Sequence, residues 1–294
     1  MSRPRPVDAE ALRDLPLPPL STGGDKETRG RVLAIAGGAR VPGAALLTGV
    51  AALRAGAGKL QLAATRAAAL ALGLAIPEAA VIAVAETPEG EIAAAAGPAL
   101  AEAAARADAV VIGPGMLDKA EAGRLALSLL EAAPEAGFVL DAAAMVGLQL
   151  TAAAVRAMAG RLVLTPHAGE MAALLGDGKD AVLREPLAAG REAATRSGGV
   201  VIMKGATSYI VSPDGRAWAH SGGVVGLATS GSGDVLAGVI AGLLARGAPP
   251  LTAAVWGVYA HADAGRRLSA SLGPVGLLAR ELLAEIPRAL AAPM

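Results

Sequence analysis

The segment Ala228-Thr229-Ser230-Gly231-Ser232-Gly233-Asp234 holds the residues best suited to chemistry in this chain. A turn of small residues runs directly into an apolar helix. Val235, Leu236, Val239, Ile240, Leu243 and Leu244 recur there at helical spacing, and Gly247 supplies a stop. Backbone N–H groups at a helix start attract anions, and glycine lets a phosphate approach the main chain. A carboxylate at that junction is repelled by a bound phosphate. Asp234 therefore reads as a base for a reacting hydroxyl or, with no ligand involved, as a helix cap.

Other polar residues fall where chain elements change. Short β-rich runs are predicted at 32–36, 60–64, 80–85, 109–112, 138–141, 162–165, 200–204, 208–211 and 217–220. Helices are predicted at 44–57, 98–107, 118–132, 152–159, 169–175, 187–197, 235–246, 251–268 and 275–288, with another ending near Ile76. Apolar strands alternating with helices indicate an α/β fold whose mostly parallel sheet is covered on both faces. In such sheets ligands bind beyond the carboxyl ends of the strands. Gly113-Pro114-Gly115, Asp141, Thr165-Pro166-His167-Ala168-Gly169-Glu170 and Lys204-Gly205 all lie at expected strand ends. Each alone has a dull reading as a turn, a cap or a solvated charge. His167 is the histidine best placed to touch a ligand, in a loop read as separate from the Lys204 loop. His261, inside an apolar helix, reads as packing. His220 is open to either reading.

Composition excludes several classes. Hydrophobic residues make up 54% and charged residues 18%, which argues against disorder. Formal net charge is zero and no basic patch stands out, so nucleic acid is not an expected partner. Cysteine is absent, which removes disulfides and thiolate chemistry and permits a cytoplasmic location. No membrane span is expected, because Pro77 and Glu78 interrupt the longest apolar stretch. There is no complete phosphate-binding G-x-x-x-x-G-K-[ST] loop, no G-x-G-x-x-G fingerprint and no G-x-S-x-G elbow. The three histidines lie too far apart for a short metal motif. Residues 1–30, with Pro4, Pro6, Pro16, Pro18 and Pro19, read as an extended arm; 31–294 reads as a single domain without repeats.

The ordered set of motifs resembles the ADP-dependent NAD(P)H-hydrate dehydratases of the ribokinase-like superfamily. It comprises Pro42-Gly43-Ala44-Ala45, Ala51-Ala52-Leu53-Arg54-Ala55-Gly56-Ala57-Gly58, Ile112-Gly113-Pro114-Gly115, Leu164-Thr165-Pro166-His167-Ala168-Gly169-Glu170, Lys204-Gly205-Ala206 and the Asp234 segment. The glycine-Asp turn is shared with many sugar and vitamin kinases, so an ATP-dependent small-molecule kinase is the alternative reading. The resemblance implies a three-layer α/β/α sandwich and a repair reaction on the hydrates NADHX and NADPHX. ADP phosphorylates the ring hydroxyl, and NADH or NADPH, AMP and phosphate are the products. It implies Asp234 as the base, with Gly231, Ser232 and Gly233 as the anion hole. Lys204, Gly205, Ala206, Thr207, Ser208 and Gly233 would bind the nucleotide; Ala44, Gly115, His167 and Asp234 would bind the hydrate. Mg²⁺ is expected on the phosphates, with no protein metal ligands assigned. The family pattern also implies a homo-oligomer, a tetramer, and a functional link to an NAD(P)HX epimerase carried on a separate chain.

Four departures accompany the match. The family's Asp-Ala-Asp-Ala-Leu reads Asp141-Ala142-Ala143-Ala144-Met145, Gly-Pro-Gly-Leu-Gly ends in Met116-Leu117, and Gly-Asn-Pro-Gly reads Gly223-Val224-Val225-Gly226. In the anion loop Ser230 and Ser232 keep small side chains where the family has Gly and Thr.

Overall fold

The computed structural model describes residues 3–19 and 25–291. Ten strands form one sheet: β1 Arg5–Pro6, β2 Arg31–Ile35, β3 Lys59–Thr65, β4 Ala79–Val84, β5 Ala109–Ile112, β6 Gly137–Leu140, β7 Leu162–Leu164, β8 Val200–Met203, β9 Ser208–Val211 and β10 Ala217–His220. The order is β1-β10-β9-β8-β7-β6-β5-β2-β3-β4. Every pair from β8 across to β4 is parallel, and β9 runs antiparallel to both β8 and β10. Two-residue periodicity splits the sheet's side chains between two cores. Leu33, Ile35, Val110, Ile112, Phe138 and Leu140 enter one. Val32, Ala34, Ala109, Val111 and Val139 enter the other. The result is the expected α/β sandwich.

The path of the chain creates the crevice. From β2 it proceeds outward through β3 and β4, then returns to β5 on the other side of β2 and continues to β8. The order reverses between β2 and β5, and open α/β sheets bind ligands at such a reversal. Two helices then close on that point. Gly43–Arg54 and Ser232–Ala245 pack almost backbone to backbone. A Cβ added to Gly238 would lie 2.2 Å from Thr48 O, and one on Gly242 2.4 Å from Ala52 O. Thr48 Oγ1 also donates to Asp234 O at 3.3 Å.

Several elements differ from the sequence reading. The N-terminal segment is not extended throughout. Ala9–Asp14 is a helix capped by Asp8, and β1 pairs with β10, bringing Arg5 opposite Trp218. Trp256 Nε1 donates to Leu15 O at 2.7 Å. The short helices Ala142–Val146 and Lys179–Arg184 were not anticipated. The last helix starts at Ala279 rather than 275. Each of these segments is too short or too proline-rich to display a helical period. Among the described residues no helix is long and apolar enough to cross a membrane.

Candidate active site

The carboxyl ends of β8, β7, β6, β5 and β2 stand side by side, and each delivers part of one site. Facing them is the start of the helix Ser232–Ala245. Gly231 precedes it at φ +86°, a left-handed turn that favours glycine, and no side chain caps the helix. The first N–H groups of a helix have no intrahelical partner. With no cap to occupy them they remain open to an anion. Asp234 is the third helical residue, not the cap, so the capping alternative falls. Burial first, and then the nearby Asp141 carboxylate, raise its carboxyl to about 6, with Lys204 opposing them.

Lys204 follows β8 and lies against this opening. A Cβ on Gly233 would be 3.5 Å from Lys204 Nζ. The ammonium donates to Asp141 Oδ1 at 3.0 Å and lies 3.8 Å from Glu170 Oε2. Asp141 is only 3% exposed, and its Oδ1 also accepts from Thr165 Oγ1 at 2.5 Å. Burial pulls the Lys204 ammonium down, but Asp141, Glu170 and Asp234 outweigh it, and its pKa is raised overall. The site therefore holds a fixed cation beside a carboxylate that ionises near neutrality.

Asp141 sits where two loops touch. A Cβ on Gly113 would meet Asp141 O at 1.9 Å, so only glycine lets these strand ends approach. Ala142, directly after, is the one non-glycine residue with positive φ among the described residues, at +45°. A strained backbone beside a charged side chain is common at working sites. On the β5–β2 side, Gly115 and Ala44 abut: a Cβ on Gly115 would be 2.3 Å from Ala44 Cβ. Among the departures, Ala143 is buried in the core, while Leu117 keeps negative φ and an exposed side chain, so glycine is not needed there. Val225 is also exposed, at the start of a short 3₁₀ turn, Val225–Leu227.

His167 is not remote from Lys204, contrary to the sequence reading. The two residues form a parallel β-bridge, and Lys204 N donates to Pro166 O at 2.7 Å. His167 Nδ1 accepts from Gly169 N and Glu170 N, at 3.0 and 3.2 Å, and Glu170 Oε2 accepts from His167 N at 2.8 Å. This capping box holds the helix Ala168–Leu175. Because Nδ1 accepts, the neutral ring carries its proton on Nε2. Asn also caps well, so His167→Asn removes the ring and keeps the helix start. The expected outcome is a melting temperature near wild type, whereas His167→Ala loses about 1 kcal/mol, checked by thermal unfolding.

Thr207 and Ser208 rim the site on the far side of Lys204. Thr207 Oγ1 lies 3.2 Å from Ser221 Oγ, and Ser208 Oγ donates to Gly205 O at 3.5 Å. Gly205 and Ala206 are exposed in the turn between them. His261, read from sequence as packing, touches the anion loop instead. Its Nε2 lies 3.0 Å from both Ser232 Oγ and Ser232 O. Burial pulls this imidazole down to about 4, against the raising effect of the Ser232 carbonyl, so it is neutral at physiological pH.

The sequence profile of the NAD(P)H-hydrate dehydratase family matches residues 32–288. The chain belongs to that family. It is 51% identical to the ADP-dependent (S)-NAD(P)H-hydrate dehydratase of Xanthomonas campestris pv. campestris, over 97% of this chain and 96% of that one. It is 36% identical to the bifunctional NAD(P)H-hydrate repair enzyme of Moorella thermoacetica, covering 92% of this chain and 51% of the relative. In three dimensions it resembles the ADP/ATP-dependent NAD(P)H-hydrate dehydratase of Bacillus subtilis co-crystallized with ATP/Mg²⁺. The TM-score is 0.82, the identity 27%, and both chains are covered completely.

Proposed function

We propose that the chain is an ADP-dependent NAD(P)H-hydrate dehydratase that returns NADHX and NADPHX to NADH and NADPH. The observation that carries the mechanism is an uncapped helix start faced by Lys204, with the Asp234 carboxylate raised to about 6 at its edge. The hydrate's ring hydroxyl gives its proton to Asp234 and attacks the β-phosphorus of ADP. The bond from that phosphorus to the AMP oxygen breaks, and AMP departs. The phosphorylated ring carbon then loses phosphate, a neighbouring ring proton leaves, and the ring double bond returns. Gly231, Ser232 and Gly233 hold the developing charge on the transferred group together with Lys204. The nucleotide lies over Lys204–Ser208. The hydrate lies against Ala44, Gly115 and His167.

Magnesium fits this arrangement as a passenger of the nucleotide. Asp141 and Glu170 are already drawn to Lys204. No group of three metal-ligating side chains occurs among the described residues. When bound with the nucleotide at Gly231–Gly233, the ion would supply charge neutralisation on the phosphates. Within the same reading, residues 31–294 act as one catalytic unit, the location is cytoplasmic and the assembly is a tetramer. The same reading includes a functional link to the epimerase that interconverts the hydrates.

Incubation with NADHX, ADP and magnesium is expected to restore NADH absorbance, with ADP preferred over ATP. Chelation of magnesium is expected to abolish recovery. Equal rates after chelation would overturn phosphoryl transfer. His167→Asn is expected to raise KM for NADHX and leave KM for ADP unchanged; a change confined to ADP would move the ring to the nucleotide side.

A further inference from the structure

A second cavity opens next to this site at the end of β3. Its volume is about 330 Å³, within the roughly 300–1,000 Å³ typical of small-molecule pockets. Pro42, Gly43, Leu46, Thr65, Ala71 and Leu72 are among its lining residues, and its walls are chiefly apolar. Thr65 is 1% exposed and its hydroxyl has no hydrogen-bond partner. An unpartnered buried hydroxyl costs free energy unless a ligand supplies its partner. Two arginines are sequence neighbours of lining residues. Arg40 follows the lining residue Ala39, and Arg66 stands between the lining residues Thr65 and Ala67. Both are exposed, and neither makes an ion pair or a hydrogen bond through its side chain among the described residues.

An apolar slot with a buried hydroxyl, and two exposed arginines next to its lining residues in the sequence, suits the chemistry of a nucleotide: a flat base for the slot and phosphate oxygens for the arginines. ADP is not the nucleotide it suits. The ADP loop follows β8, whereas this cavity follows β3, with β7, β6, β5 and β2 between them. The other nucleotide half present in the reaction belongs to the hydrate, which is a dinucleotide. Pro42 and Gly43 lead straight into Ala44, which abuts Gly115. A hydrate whose damaged ring lies at Ala44 and Gly115 would therefore reach the cavity with its opposite end.

We infer that the cavity bounded by Pro42, Leu46, Thr65 and Leu72 receives the adenosine half of the hydrated dinucleotide, with its phosphate groups held by Arg40 and Arg66. Two molecules then approach the phosphoryl-transfer point from opposite directions along the strand order, ADP over β8 and the hydrate over β3. This rests on the placement of the hydrate ring proposed above, which the His167→Asn measurement addresses by itself.

Steady-state kinetics on two variants test it. Ala71 is exposed on the helix Arg66–Ala75, so Ala71→Trp fills the slot from a position that tolerates a large side chain. The double variant Arg40→Ala/Arg66→Ala removes only exposed charge and keeps the test valid if the bulky variant folds poorly. Each is expected to raise KM for NADHX about tenfold, the scale of one charge-assisted hydrogen bond or one lost buried contact. Turnover at saturating hydrate and KM for ADP should stay within about twofold of wild type. An unchanged KM for NADHX in both variants overturns the assignment. So does a KM for ADP that rises in step with that for NADHX. A wild-type protein that fails to restore NADH at all would instead overturn the dehydratase reading.

Discussion

Asp234→Asn is expected to lower turnover by roughly 10²–10⁴-fold, the usual scale for a positioned proton transfer. Asn preserves the shape and much of the hydrogen-bonding capacity of the side chain, but it cannot accept a proton at neutral pH. Because the helix begins without any side-chain cap, the substitution takes nothing from the helix start. The protein should fold and bind ADP, more tightly if anything, since a negative charge near the phosphates has gone. Stability supplies an independent check. A carboxyl raised from 3.8 to about 6 favours the folded state most below pH 3.8, and the benefit is lost as pH rises through 6. Asp234→Asn should therefore melt a few degrees above wild type at pH 8, a gain of about 1–3 kcal/mol, and show no gain at pH 3.5. Wild-type turnover in the folded variant would remove Asp234 from catalysis. In the wild-type enzyme, kcat/KM should climb with pH through about 6 as Asp234 becomes the free base.

Lys204→Met is expected to cost on two axes at once. Turnover should fall by about 10²–10³-fold, because a preorganised cation no longer meets the transferring phosphoryl group. Stability should fall by roughly 3 kcal/mol, because Asp141 is left at 3% exposure without its counter-ion and with only the Thr165 hydroxyl as partner. The axes separate in a double variant. Lys204→Met with Asp141→Asn should recover most of the lost stability and none of the lost turnover. The sign of the pH shift is also set. Lys204 opposes the rise in the Asp234 pKa, so its removal moves the acid limb of the residual activity above pH 6. A limb that stays in place or moves to lower pH would mean that Lys204 and Asp234 are not electrostatically coupled.

Much of the fold was legible because its strands are short apolar runs bounded by Gly, Pro or charge, and the β2–β10 strands formed within a residue or two of their expected ends. The same holds for features written at local spacing. Pro213-Asp214-Gly215 marks the β9–β10 hairpin, closed by Gly215 N to Ser212 O at 2.9 Å, whereas the N-cap of the helix Ala168–Leu175 proved to be His167 and not the Thr165-Pro166 start expected. What stayed hidden is long-range. Asp141 and Lys204 are 63 residues apart, and no periodicity announces that they pair. His261 reaches Ser232 across 29 residues from a helix whose apolar pattern made any polar residue look incidental. The spacing Gly238-x-x-x-Gly242 fits equally well between chains or within one. Only the tertiary contacts with Thr48 and Ala52 assign it to the interior.

The seating of the N-terminal segment has a spectroscopic consequence. The chain contains two tryptophans. Trp218 pairs in register with Arg5, and Trp256 donates its indole proton to Leu15. Both fluorophores thus lie along one seam, where residues 5–15 meet the sheet and the helix Pro250–Leu272. Intrinsic emission from this protein is a built-in gauge of that seam. A red shift that precedes loss of far-ultraviolet ellipticity during denaturation would register the segment peeling away while the rest of the fold still stands.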